Sequence, residues 1–137
     1  MNENPLIKID KIQSVIYTIR GLQVMLDSDL AELYDVEVRR LNEQVRRNLE
    51  RFPEQFMFRL TSDEYDFLRS QIATLKMEEN LRSQNATLND KRGQHRKFLP
   101  YVFTEPGVAM LSAVLKSETA VRMSIQIINA FVAMRRF

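Results

Sequence analysis

An α+β domain is predicted by two kinds of pattern in this sequence. Short runs of β-branched and aromatic or alternating apolar residues occur at Val15–Ile19, Phe56–Leu60 and Leu99–Phe103. Longer stretches instead repeat apolar residues at three- and four-residue spacing, the period of a helix. The expected order is a short β-hairpin and strands with a helix-turn-helix-like helix pair and a C-terminal helical pair. A chain of 137 residues with 45% apolar content suits one domain around one core.

Residues 1–11 are polar and are expected to form a flexible tail ahead of a single domain over 12–137. Val15–Ile19 has strand composition, Arg20-Gly21 supplies turn chemistry and Gln23–Met25 can return, which together predict a hairpin. Asp27 is placed as an N-cap, with Asp29 in the first turn of a helix through about Tyr34. Asp35-Val36 breaks it. A second helix is expected from about Glu37 to Arg51, with Val38, Leu41, Val45, Leu49 and Phe52 on its apolar face and Pro53 as its stop.

Phe56, Phe58 and Leu60 alternate with Met57 and Arg59, predicting a strand with one apolar face. Thr61-Ser62-Asp63-Glu64 has the spacing of a capping box, opening a helix from about Ser62 to Leu75 with Tyr65, Leu68, Ile72 and Leu75 inward. The octet Leu68-Arg-Ser-Gln-Ile-Ala-Thr-Leu75 then recurs as Leu81-Arg-Ser-Gln-Asn-Ala-Thr-Leu88, with Asn85 in place of the apolar Ile72. That loss predicts a mobile polar insertion at about 77–97. One duplication is too little for a solenoid.

Leu99–Phe103 is a further strand, Thr104 a cap, and Pro106 sits in the first turn of a helix carrying Val108, Leu111, Val114 and Leu115. Ser117-Glu118 opens the last helix, whose stripe is Val121, Ile125, Ile128, Phe131 and Met134. Met123, Ile127, Ala130 and Val132 spread over its other sides, so this helix needs cover on more than one side. It reaches Arg135-Arg136-Phe137 without a capping glycine, as for a helix cut short where the sequence ends or one that pairs with another subunit; a homodimer through this helix is one expectation.

Composition excludes several chemistries. With no cysteine and a single histidine, His95, neither a disulfide framework nor a thiolate metal site can form. The start of the chain lacks the apolar core of a secretion signal, and Ala120–Met134 is interrupted by Arg122, Ser124, Gln126 and Asn129. A cytoplasmic protein without a membrane span is the expectation. No phosphate-binding glycine loop, nucleophile elbow or dinucleotide fingerprint is present, and the chain has three glycines in all. Asp27, Asp29 and Glu32 can in principle hold magnesium, but helix-start roles explain them more simply. The expectation is a non-enzyme without cofactor or metal.

Net charge is only +2, so local clustering is more informative than the total. In Leu30-Ala-Glu-Leu-Tyr-Asp-Val-Glu-Val-Arg-Arg-Leu41, Ala31 is small where two helices would cross and Asp35 can take a left-handed turn. Val36 and Leu41 supply the buried apolar positions of a helix-turn-helix. Val38, Arg39, Arg40, Asn42 and Glu43 are then the exposed positions early in the second helix. Arg40, Gln44, Arg47 and Arg51 fall on one polar stripe; Arg39, Glu43, Arg46 and Glu50 form another of alternating sign. Arginine and asparagine read guanine and adenine edges bidentately, each contact discriminating by roughly 1–3 kcal/mol. Alternating charge at this spacing is equally the ordinary support of a solvated helix. The candidate DNA contacts are Arg39, Arg40, Asn42, Arg46, Arg47 and Arg51. Lys91, Arg92, Arg96 and Lys97 are candidate phosphate contacts on an arm, or else a solubilising loop.

Several ordered segments resemble the ORF-6N domain, a relative of the KilA-N and Bro-N domains of phages, large DNA viruses and bacteria with prophage-derived genes. They are Ile16-Tyr-Thr-Ile-Arg-Gly21, Val24-Met-Leu-Asp-Ser-Asp-Leu-Ala-Glu-Leu-Tyr34, Leu41-Asn42, Arg47-Asn48, Arg51-Phe-Pro-Glu-Gln-Phe-Met-Phe-Arg-Leu60 and Phe103-Thr-Glu-Pro-Gly-Val-Ala-Met-Leu111. The resemblance spans about Ile12–Arg136. It implies double-stranded DNA as the partner and a role as a transcriptional regulator or antirepressor, the latter acting on another regulator protein. Asp35 stands where the family often has glycine, and Pro106 where it often has glutamine.

Overall fold

The computed structural model describes residues 9–83 and 98–135. The chain divides into two compact units, one of Met1–Phe58 with Tyr101–Phe137 and a second of Arg59–Pro100 inserted into it. The second unit begins at Arg59, ahead of the Thr61–Glu64 capping box, and spans the stretch 77–97.

The first unit opens with helix α1 (Ile9–Gln13), where the sequence suggested tail. Ile12 anchors it, fully buried against the last helix. The Val15 and Ile16 amides bond back to Ile12 O and Gln13 O at 3.0 and 3.1 Å, so these two residues leave α1 rather than start the hairpin. Strands β1 (Tyr17–Ile19) and β2 (Leu22–Leu26) pair antiparallel around a two-residue turn. Arg20 and Gly21 both have positive φ, 56° and 75°, the requirement of the tight turn that matches strand twist. The Arg20 guanidinium lies 4.1 Å from the centre of the Phe58 ring.

Helix α2 (Asp27–Tyr34) and helix α3 (Val38–Arg47) follow, then a 3-10 turn at Leu49–Arg51 and strand β3 (Met57–Arg59). After the inserted unit come β4 (Tyr101–Phe103), α5 (Glu105–Leu115) and α6 (Glu118–Arg135). The four strands form one antiparallel sheet in the order β1-β2-β4-β3. Met25 faces Phe103 and Leu26 faces Val102 across the β2–β4 pair. Val24, Met25 and Leu26 are consecutive and all buried, so the second half of β2 is covered on both faces, while Leu22 at its start is exposed. Met25, Met57 and Phe103 enter the helical core, where Phe52 meets Phe103 edge to face at 6.0 Å; Val24, Leu26, Phe58 and Val102 are buried outside that cluster. Burial of adjacent residues is also why β3 departs from expectation. Met57 is inward with Phe58, and Phe56 is only partly covered.

Helix α6 packs on α5 and α1, and α3 packs on α2 and α5. Tyr34 OH and Ser124 Oγ share a buried hydrogen bond of 2.6 Å between α2 and α6. The close packing of α5 against the chain entering β3 depends on Gly107: a Cβ there would lie 2.0 Å from Phe56 O. Thr104 is the N-cap of α5 by position, but its hydroxyl does not cap. It donates instead to Gln55 O at 2.8 Å and to Phe56 O at 3.2 Å.

In the inserted unit, helix α4 (Ser62–Ser83) opens with the reciprocal capping box, Thr61 N–H to Glu64 Oε1 at 2.8 Å and Glu64 N–H to Thr61 Oγ1 at 3.1 Å. It continues beyond the expected end at Leu75, taking in the first residues of the supposed insertion. Leu68 is buried, while Tyr65 and Ile72 are partly covered. Leu60 N–H bonds to Pro100 O at 3.0 Å, joining the two ends of the unit.

Candidate nucleic-acid interface

The α2–turn–α3 pair is built as its sequence requires. Asp35 takes the left-handed conformation (φ 61°, ψ 45°) that aspartate tolerates better than most residues. Val36 N–H bonds to Ala31 O at 2.9 Å and Asp35 N–H to Glu32 O at 3.2 Å, closing the C-terminus of α2 with the paired bonds of a Schellman motif. Ala31 and Leu41 are buried, and Val36 packs against the core. Val38, placed both on the apolar face and among the exposed early positions, packs against it as the apolar spacing requires.

Arg39, Arg40, Arg46 and Arg47 are exposed on α3. Arg39 lies 3.6 Å from Glu37, with both side chains about 80% exposed (80% and 76%), a pairing of little energetic weight. Arg46 and Arg47 occupy the last turn, where positive charge suits the helix dipole.

Two expected contacts are placed differently. Asn42 turns inward: its amide donates to Asp27 Oδ2 at 3.0 Å, and its Oδ1 is buried. Asp27 in turn is not a cap. It is the first residue of α2, almost wholly buried, and Tyr101 N–H approaches the same Oδ2 at 3.4 Å. A buried carboxylate requires such donors, so Asp27 and Asn42 bolt α3 to the start of β4. The second correction concerns the end of α3. Asn48 leaves helical geometry (φ −128°, ψ 36°) and its side-chain amide donates to Gln44 O at 2.9 Å. Arg51 therefore sits on a separate turn, and Leu49 is exposed instead of lying in the core.

A cavity of about 430 Å³ lies beside α3. Arg40, Gln44, Asn48 and Arg51 form one wall, and Lys116 and Ser117 of the α5–α6 connection the other. Lys116 has a left-handed backbone (φ 56°), which turns the chain from α5 into α6. No sequence motif singled it out, because only the packing of α5 on α3 brings it near Arg40 and Arg51.

Lys91, Arg92, Arg96 and Lys97, with His95, lie outside the described residues. Among the described residues no group of three His, Cys, Asp or Glu is placed to hold a metal, and no helix is long and apolar enough to cross a membrane. The expected stripe of the last helix holds in its second half, where Phe131 is core and Ile128 and Met134 pack against it; Ile127, placed off the stripe, is also core, whereas Val121 and Ile125 are 45% and 56% exposed.

The fold is thus an α+β domain presenting a helix-turn-helix-like pair with an arginine-rich second helix. The ORF6N domain matches residues 14–114, and the chain belongs to that family. The matched region holds the whole sheet and α2 through α4, and ends within α5; α6 lies beyond it. No curated relative and no solved structure matches the chain.

Proposed function

We propose that this chain is the DNA-binding domain of a phage- or prophage-type transcriptional regulator or antirepressor, a binding domain and not an enzyme. The observation that carries the reading is α3 itself. Within an ORF6N domain, its inward side is fixed by Leu41, Val45 and the Asp27–Asn42 bond, while Arg39, Arg40, Arg46 and Arg47 remain outward. A helix held rigidly on one side and cationic on the other suits the major groove and its phosphate edges.

Fluorescence anisotropy tests it, using duplex DNA from the protein's own upstream region and a scrambled duplex at low and near-physiological salt. The expected result is salt-sensitive binding that prefers the native duplex, weakened by about 1 kcal/mol or more in Arg40→Ala with Arg47→Ala. Absence of binding to either duplex sinks the reading.

A second reading is favoured by the exposed Val121 and Ile125 one helical turn apart on α6. It makes α6 the contact for another regulator protein or for a second copy. Polar replacement of these two residues would then abolish association and leave the fold intact.

A further inference from the structure

The cavity beside α3 has an unbalanced lining. Arg40 and Arg51 stand on one wall and Lys116 on the other, and no carboxylate lines it. None of the three cations has an ion-pair partner among the described residues. Like charges gathered around a concavity without a counter-charge raise its affinity for anions. The floor is apolar, formed by Val36, Leu41, Val114 and Ala120. Gln44 adds a neutral polar group, while the Ser117 hydroxyl accepts the Ala120 N–H at 3.0 Å and serves as a helix cap.

We propose that this cavity binds the phosphate of a nucleotide unit, with Arg40, Arg51 and Lys116 around its oxygens and the apolar floor under the sugar. A monoester phosphate presents three non-bridging oxygens and a backbone diester two, in a tetrahedral array that can face both walls where a planar carboxylate cannot, and guanidinium geometry matches it. The volume is within the range of small-molecule sites, roughly 300–1,000 Å³, and exceeds the need of a lone ion. The phosphate comes either from a duplex backbone or from a free phosphate ester. In the first form the proposal rests on the DNA-binding reading and adds Lys116 to the contacts; in the second it stands without it.

The test compares wild type with Arg51→Gln combined with Lys116→Asn, asparagine being suited to the left-handed backbone at that position. A random-sequence duplex is titrated by anisotropy over a range of salt, and pyrophosphate and adenosine monophosphate are titrated by calorimetry. A duplex affinity at least about tenfold lower in the variant, with a salt slope shallower by about two units, places a backbone phosphate in the cavity. If duplex binding is unchanged or absent, but either small phosphate binds wild type and binds the variant about tenfold more weakly, the site takes a free ester. Absent duplex binding in that case defeats the DNA reading alone. If no small phosphate binds wild type more tightly than the variant, and the variant matches wild type in duplex affinity and salt slope or wild type binds no duplex, the proposal is overturned; the DNA reading survives only where wild type binds the duplex. Should the double variant's urea midpoint fall, Lys116→Asn alone is compared, with Lys116→Arg expected to restore binding.

Discussion

Replacing Gly107 by alanine tests how closely α5 must approach the chain that enters β3. The added Cβ would lie 2.0 Å from Phe56 O and 2.9 Å from Phe56 C, and the nearest obstacle is backbone, not the tip of a flexible side chain. That carbonyl cannot easily turn away. It accepts the Thr104 N–H at 3.0 Å and the Thr104 hydroxyl at 3.2 Å. Overpacking of this kind costs about 1–3 kcal/mol, and weakening two hydrogen bonds adds about 0.5–1.5 kcal/mol each. Alanine's better helix propensity returns about 0.5–1 kcal/mol. The net expectation is a loss of about 2–4 kcal/mol, read as a fall of about 1–2 M in the urea midpoint at an unchanged slope. Gly21→Ala is the internal control. Nothing lies within 4 Å of its added Cβ, so only the strain of φ 75° remains, about 1–2 kcal/mol. A loss below about 0.5 kcal/mol in Gly107→Ala, or one no larger than in Gly21→Ala, refutes the reasoning.

Other consequences follow from single contacts. Asn42→Ala removes a donor from the buried Asp27 carboxylate and should cost about 1–3 kcal/mol of stability while leaving base preference in DNA binding unchanged; altered preference with normal stability would restore Asn42 as a reader. Phe131→Ala, in the core, should lose about 3–5 kcal/mol on denaturant unfolding, whereas Ile125→Ser should change stability by no more than about 0.5 kcal/mol. Burial pushes the Tyr34 hydroxyl up to about 12, against the opposing hydrogen bond to Ser124. The native state therefore keeps a proton that the unfolded chain releases above pH 10 or so. Stability should be full below that pH and fall toward pH 12 by at most about 1.4 kcal/mol per unit from this residue, and Tyr34→Phe should flatten the decline in urea midpoints.

Local patterns carried much of the fold. Arg20-Gly21 specified its turn because both residues had to accept positive φ, and Thr61–Glu64 specified its cap through reciprocal bonds between near neighbours. Asp35 specified a left-handed helix end in the same way. The misplacements involve longer-range partners. Asp27 resembles a cap in sequence, and only the fold supplies Asn42 and Tyr101 as its donors. Val121 and Ile125 have the spacing of a buried stripe, yet the buried residues of α6 are Ala120, Ser124, Ile127, Ala130 and Phe131, three of them too small to announce a buried face by hydropathy. The α3 arginines were visible as a cluster, but Lys116 was not, since no periodicity links it to them. The break at Asn48 was equally hidden, because its side chain competes for a backbone carbonyl in a stretch whose apolar spacing continues.

The bond from Leu60 N–H to Pro100 O ties the two ends of the inserted unit at 3.0 Å, so the sheet is indifferent to how much chain lies between them. Loop-closure entropy rises only logarithmically with length, each doubling adding roughly 0.6 kcal/mol. The near-repeat of 68–75 at 81–88 falls inside this stretch. Duplicated sequence can accumulate there at small thermodynamic cost, and the same gap is where an unrelated domain could be spliced in without parting β3 from β4.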